Sequence, residues 1–341
     1  MQNSMRKIII LIVAMTMIFG LTACASKENS QGDNSPATPS KSLDNESESS
    51  EVSEDTEASE ATDDTKVTED AEAVKTIATL KGDITIPANP KRIVVAFFQG
   101  DFLALGIKPV GTTFNDDAIF EEELSDITVI DAWGLDPELV MSLDPDLIIW
   151  NNADEYDTLS KIAPTLIMDY YAMDYTQRLT FFGQVTGKEE KAQELVDAFT
   201  VKIEEGKTKL TAANKLDKTV ILLENQQEGS LRAFGNDYGR GGELIYNKLG
   251  FKAPERIMTE VINAEGESFI DISYEALGEY SADYIFSDEN IKELADNQVF
   301  NSLSAVKEGR LIETNSGMFW FADITSLNAQ LDFIIDNILA H

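Results

Sequence analysis

The sequence predicts an α/β protein of two lobes, each with a mostly parallel sheet, joined by one long α-helix. Three observations point there. Short apolar runs bounded by turn residues alternate with helical segments, the mark of βαβ units. The segment Lys188 to Leu210 breaks that rhythm with a proline-free helical pattern. A weak internal repeat then places one copy of the same strand-forming unit on each side of that helix.

The chain begins with its own address. Met5 to Cys24 reads MRKIIILIVAMTMIFGLTAC: a basic start at Arg6 and Lys7, an apolar stretch from Ile8 to Gly20 of signal-peptide length, and a small-residue close. Leu21-Thr22-Ala23-Cys24 resembles the lipobox of bacterial lipoproteins, which implies that residues 1–23 are a signal peptide and that Cys24, the only cysteine, is lipidated. An ordinary membrane helix would need about 20 apolar residues. Residues 24–74 then form an acidic tether: Ala25 to Val74 holds 15 acidic residues against three lysines and no aromatic residue. Such a segment cannot bury enough apolar surface to offset the entropy of ordering, and disorder is expected. Its coil span would be roughly 40 Å, stretched further by self-repulsion.

From Lys75 onward there are 46 acidic against 22 basic residues. That balance excludes nucleic acid as a partner and disfavours adsorption on anionic lipid. The only histidine is His341, so a histidine-based triad or zinc site is not expected, and no metal ligands are assigned.

Residues 75–187 read as the first lobe. Lys91 to Phe98 reads as a strand after Pro90, continuously apolar from Ile93 and suited to burial on both faces. Phe102 to Gly106 is a helical turn ended by glycine. Further short strands follow at Pro109–Thr113, Thr128–Asp131, Asp146–Trp150 and Thr165–Met168. The connecting helix, residues 188–211, carries Ala192, Leu195, Val196, Phe199 and Ile203 at helical spacing and is long enough to cross a domain. Residues 212–341 form the second lobe, with strands at Thr219–Leu223, Ser268–Asp271, Asp283–Phe286 and Arg310–Thr314.

The repeat aligns Asp136 to Ile149 with Ser273 to Phe286 without gaps. Each copy offers an N-cap (Asp136, Ser273), an acidic residue two places on (Glu138, Glu275), a short helix and an apolar strand. A carboxylate in a first helical turn is good helix chemistry on its own. Two of them placed equivalently on two lobes suggest docking points for a partner of twofold character.

These residues bring the chain close to a known family. Pro90-Lys91-Arg92-Ile93-Val94-Val95, Leu105 to Gly111, Leu143 to Ile149, Lys161-Ile162-Ala163-Pro164-Thr165 and Phe234 to Glu243, in this order behind a lipobox, resemble the lipid-anchored substrate-binding proteins of iron–siderophore ABC importers. The resemblance covers roughly Ile77 to Leu339. It implies a monomeric receptor on the outer face of the cell membrane that captures a ferric siderophore and delivers it to a permease dimer. It also implies that Glu138 and Glu275 meet arginines of that permease.

A ferric siderophore arrives with its iron saturated by the chelator, so it is cargo, and no cofactor is expected. The protein needs an aromatic-walled cleft with a few cationic donors. Arg232 and Arg240 bracket the turn Asn236 to Gly242. Resemblance to the ferric-hydroxamate binders implies that Tyr238 and Arg240 contact the ligand and that Trp320 lines the cleft. Tyr170 and Tyr171, after the strand Thr165–Met168, sit where the first lobe would line the cleft, and one of them is expected to face it. Arg178 is a further candidate, and Phe97, Phe98 and Gln99 point at the same edge from the end of the first strand. Hydroxamates are favoured over catecholates, because a ferric tris-catecholate is strongly anionic and this domain has six arginines. Haem and cobalamin remain alternatives within the same fold. An enzyme is disfavoured: no G-x-S-x-G elbow, H-E-x-x-H helix or Walker loop occurs.

Overall fold

The computed structural model describes residues 73–79, 81–169 and 172–341. The signal segment, Cys24, nearly all of the acidic tether, Tyr170 and Tyr171 lie outside the described residues.

The described chain opens with an antiparallel hairpin, β1 (Val74–Thr79) and β2 (Gly82–Pro87). Its alternation sends Ile77, Ile84 and Ile86 toward the main core. Five parallel strands follow: β3 (Ile93–Val95), β4 (Gly111–Thr112), β5 (Thr128–Val129), β6 (Leu147–Trp150) and β7 (Thr165–Ile167), in the order β5-β4-β3-β6-β7. Both faces of this sheet are covered, and the period of two shows it. Val94, Ile148 and Trp150 pack on one side with Val140 and Leu159. Ile93, Val95, Leu147 and Ile149 pack on the other. This is why the strands read as continuous apolar runs rather than alternating ones. Helices α1 (Gln99–Ala104), α2 (Pro137–Ser142) and α3 (Tyr175–Thr186) flank the sheet.

Helix α4 (Glu189–Ala212) is 24 residues long, hence about 36 Å. It buries Ala192, Phe199, Ile203, Gly206 and Leu210 against α3 and against the final helix α5 (Ile324–Ala340). Gly206 matters because a Cβ there would lie 2.4 Å from Ile335 Cδ1; the two helices touch where that side chain is missing. Among the described residues no helix is long and apolar enough to cross a membrane.

The second lobe has β8 (Val220–Gln227), β9 (Ser230–Phe234), β10 (Phe269–Ser273), β11 (Tyr284–Ser287) and β12 (Leu311–Glu313), ordered β10-β9-β8-β11-β12. The order repeats that of the first lobe strand for strand. One feature differs: β9 runs antiparallel to both β8 and β10, because a tight turn through Glu228 and Gly229 (φ +93°) replaces a helical crossover. Six of the eight pairings in the two large sheets are parallel, so the sheets are mostly parallel as predicted.

The sequence repeat is therefore also a topological one, with a local difference. Asp136 Oδ1 accepts hydrogen bonds from the backbone N–H groups of Glu138 (3.0 Å) and Leu139 (3.2 Å), capping α2. Ser273 makes no such bond, and the segment after it, Tyr274–Tyr280, is a 3-10 helix. Ser273 is still the last residue of β10, paired with Ser230, and its side chain does not turn back over the helix start. Ser273 therefore holds the expected N-cap position with an extended backbone but makes no side-chain cap bond.

Candidate ligand-binding cleft

In a sheet of this strand order the crevice lies beyond the carboxyl ends of the strands, at the point where the order reverses. Here two such points face each other. Phe97 and Asn151 follow β3 and β6, while Glu224 lies on β8 and Asp288 follows β11. Between them is a cavity of about 280 Å³ lined by Phe97, Trp133, Asn151, Tyr238, Arg240 and Trp320. A second cavity of about 610 Å³ shares Trp320 and Phe321 with the first and reaches Asp116, Glu224 and Asp288.

The first lobe supplies an aromatic wall. Phe97 has a left-handed backbone (φ +66°), rare for a bulky residue and frequent at functional sites. Its N–H donates to Thr113 Oγ1 at 3.0 Å. The Phe97 ring meets Phe114 edge-on at 5.0 Å, and Phe114 meets Trp133 at 5.9 Å. Trp133 is 82% exposed, a cost in water that a ligand covering it would remove.

The second lobe supplies an arginine held by aromatic faces. Gly239, Arg240 and Gly241 all have positive φ (72°, 56° and 83°). A Cβ at Gly241 would press on the Phe319 ring at 3.0 Å, and the Arg240 N–H donates to the Phe319 carbonyl at 2.9 Å. This turn and the segment before α5 thus fix each other. The Arg240 guanidinium lies 4.0 Å over the Trp320 ring, 4.8 Å from Phe234 and 5.3 Å from Tyr238. Its Nε donates to Glu224 Oε1 at 2.9 Å and its Nη2 to Oε2 at 3.4 Å. Tyr238 stacks on Phe234 and meets Phe269 edge-on at 5.3 Å. Phe319 and Phe321 are buried while Trp320 is half exposed.

Three candidate residues, Phe98, Arg178 and Arg232, lie outside the cleft and are corrected here. Phe98 is 1% exposed and packs on Phe182 in the core; the left-handed turn at Phe97 puts that neighbour in the cleft instead. Arg178 is buried on α3, with Nε 2.7 Å from Asp101 Oδ2 and Nη2 donating to the Ala322 carbonyl at 2.7 Å. It borders a separate cavity of about 230 Å³ on the far side of the Gly239–Gly241 turn. Arg232 stands outside both cleft cavities. It is paired with Asp271 at 2.9 Å and stacked 4.1 Å over Phe269, one layer behind Tyr238.

Around Arg178 lies a buried acidic group joining the lobes. Asp101, Asp117 and Asp323 are all at most 4% exposed. Burial pushes Asp101 up to about 6 although Arg178 pulls it down, and burial with the Asp323 charge pushes Asp117 up to about 7.

Glu138 and Glu275 are both exposed, each in the first turn of its short helix. Strands β5 and β10, which lead to them, run in the same direction as β3 and β8. Both helix starts therefore stand at the cleft-side edge of their lobe, and neither carboxylate is paired with a cation among the described residues.

The sequence pattern of the periplasmic binding protein family matches residues 100–317. The chain is 34% identical over 278 residues to the iron(3+)-hydroxamate-binding protein YxeB of Bacillus subtilis, covering 78% of this chain and 85% of that one. It is 34% identical over 268 residues to the iron(3+)-hydroxamate-binding protein FhuD of the same organism, covering 75% and 84%. Among solved structures, a FhuD fold-family component of a Fep/Fec-like ferrichrome ABC transporter from Bacillus subtilis superimposes with a TM-score of 0.70 at 31% identity, covering 77% of this chain and 99% of that one. The same strand order in two lobes, the single connecting helix and these matches lead to one statement: the chain belongs to the periplasmic binding protein family.

Proposed function

We propose that this protein is the extracytoplasmic substrate-binding component of an ABC importer, capturing a ferric siderophore of the hydroxamate class. The observation that carries the reading is the pair of facing walls: Phe97, Phe114 and Trp133 on one lobe, and Tyr238, Trp320 and the stacked Arg240 on the other. Such a cleft takes a bulky complex whose outer surface is apolar and whose iron-binding oxygens accept hydrogen bonds. It offers little to a polyanion, because its one arginine is already engaged by Glu224. The similarity to proteins named as iron(3+)-hydroxamate-binding supports the same class.

Trp133 and Trp320 both flank the cavity, so intrinsic fluorescence reports occupancy directly. Titration of the detergent-solubilised full-length protein is expected to show sub-micromolar quenching by a ferric trihydroxamate. Binding of a ferric tris-catecholate is expected to be at least 100-fold weaker. Quenching by haem or cobalamin alone would overturn the reading.

Delivery completes the function. Cys24, once lipidated, anchors the domain at the outer face of the cell membrane, with two acyl chains making the attachment stable. The acidic tether lets the domain search near the permease at high local concentration. Glu138 and Glu275, one per lobe and unpaired, meet arginines on the two permease subunits. The double substitution Glu138→Ala/Glu275→Ala is expected to leave ligand affinity intact in vitro and to cut iron uptake in cells at least tenfold. Uptake at the wild-type rate would remove the docking role.

A further inference from the structure

We propose that Gln330, a buried residue of α5 outside both cleft cavities, is the positioning residue for Trp320: its side-chain amide holds the backbone on both sides of the indole and so fixes the wall against which the ligand packs. This rests on the reading of Trp320 as a ligand contact in the proposed siderophore cleft.

Helix α5 turns Leu327, Leu331, Ile334 and Ile338 inward, the i, i+4, i+7 and i+11 positions of one apolar stripe. Gln330 falls within that stripe and is 1% exposed. On such a face a buried polar side chain is the informative exception, because an amide taken out of water must find partners.

The partners lie at the cleft wall. Gln330 Nε2 donates to the Met318 carbonyl at 2.8 Å and to the Phe321 carbonyl at 2.7 Å. Both partners are acceptors, so the amide can stand only with its NH₂ toward them, and its two N–H groups match the two carbonyls. These carbonyls flank Trp320 in the chain, in the stretch that leaves the helical turn Ser316–Phe319 and enters α5. Two neighbouring carbonyls are also held from elsewhere in the chain. The Arg240 N–H donates to Phe319 at 2.9 Å, and Arg178 Nη2 donates to Ala322 at 2.7 Å. The path of this irregular backbone is thus set by donors outside it, and Gln330 supplies two of them.

Trp320 depends on that path. Its side chain is half exposed, so the core does not enclose the ring, and the backbone on each side decides where the indole stands. The guanidinium of Arg240 lies 4.0 Å over the same ring, so a shift of the indole moves the arginine's bed as well. An apolar side chain at position 330 would complete the stripe but leave both carbonyls without their donor.

The test is a double-mutant cycle read as affinity for ferrioxamine B, a ferric trihydroxamate, by fluorescence titration of the full-length protein. Trp133 also lines the cavity and still reports binding when Trp320 is replaced. Gln330→Met keeps much of the volume and removes both donors; it is expected to bind about tenfold more weakly than the unmodified protein. In a Trp320→Ala background the same change should cost nothing further. Gln330→Asn keeps an amide with a shorter reach, folds more readily, and should lose about threefold with the same dependence on Trp320. Each titration is run well below the thermal midpoint of its variant, where lost stability alone leaves affinity unchanged. Unchanged affinity in Gln330→Met and Gln330→Asn would overturn the proposal. So would an equal loss with and without Trp320, which would leave Gln330 a purely structural residue. Failure of the unmodified protein to bind ferrioxamine B would overturn the siderophore reading and this proposal with it.

Discussion

Replacing Arg178 with methionine is expected to destabilise the protein by about 3–5 kcal/mol, lowering the thermal midpoint by roughly 8–15 °C for a domain of this size. The guanidinium is buried and holds three things together: the Asp101 carboxylate on α1, the Ala322 carbonyl just before α5, and the face of Phe98. Methionine fills much of the volume but leaves Asp101 buried with Asp117 and Asp323 nearby and no cation to offset them. The companion substitution Asp101→Leu in the same chain should recover part of the loss, because the orphaned carboxylate is then gone. A second readout follows from protonation. Asp101 and Asp117 titrate near 6 and 7 in the fold, above their ordinary range near 3.8. Raised carboxyl values mean that the folded state holds the proton more tightly than the unfolded chain. This contribution is complete below about pH 4 and is lost as pH rises through 6 and 7. The unmodified protein should therefore be less stable at pH 8 than at pH 5, by on the order of 4 kcal/mol. Asp117→Asn should flatten that slope. An Arg178→Met protein within 1 kcal/mol of the parent, or a stability flat from pH 5 to 8, would overturn this account of the cluster.

The same residue shows where reading the sequence stops. Strand positions were legible because both faces of each parallel sheet are covered, so Ile93–Val95, Leu147–Trp150 and Tyr284–Ser287 stand out as apolar runs. Helix α4 was legible because 24 residues of period 3.6 have no other reading. The hairpins were not seen. Leu80 and Lys81 before Gly82 and Glu228 before Gly229 are weak turn signals in a chain rich in acidic residues, and so β1, β2 and β9 were missing from the prediction. The family turn pointed to Tyr238 and Arg240, and the resemblance before the last helix pointed to Trp320; all three line the cavity. Phe98 was chosen beside Phe97 because a regular strand gives no sign of a left-handed residue at its end. Trp133 lacked any motif of its own, although an aromatic residue just beyond the carboxyl end of a parallel strand could have marked it. Arg178 is a further candidate in the sequence with nothing to mark it as structural: its partner Asp101 is 77 residues away, and only folding brings them together.

Trp320→Ala is expected to weaken capture of a ferric trihydroxamate by about 30-fold, the scale of about 2 kcal/mol usual for a central aromatic contact. Arg240→Ala should cost a similar factor. The two effects should not add, because the guanidinium 4.0 Å over the indole means that each group positions the other. Lysine at position 240 should rescue little: an ammonium cannot lie flat between Trp320 and Phe234 while donating two hydrogen bonds to Glu224. Glycine at that position would relieve the left-handed backbone (φ +56°), yet it should bind no better than alanine, which separates loss of the stack from loss of the turn. Sub-micromolar binding that survives both alanine substitutions together would refute the pocket assignment. Glu224 gives the sharpest contrast. With glutamine there, Arg240 keeps its aromatic bed but loses its counter-charge, so the cleft gains a free cation. Affinity for an anionic ferric catecholate should then rise. A receptor whose only cleft arginine is balanced by its own glutamate selects against anions by construction, and one carboxylate to amide change reverses the preference.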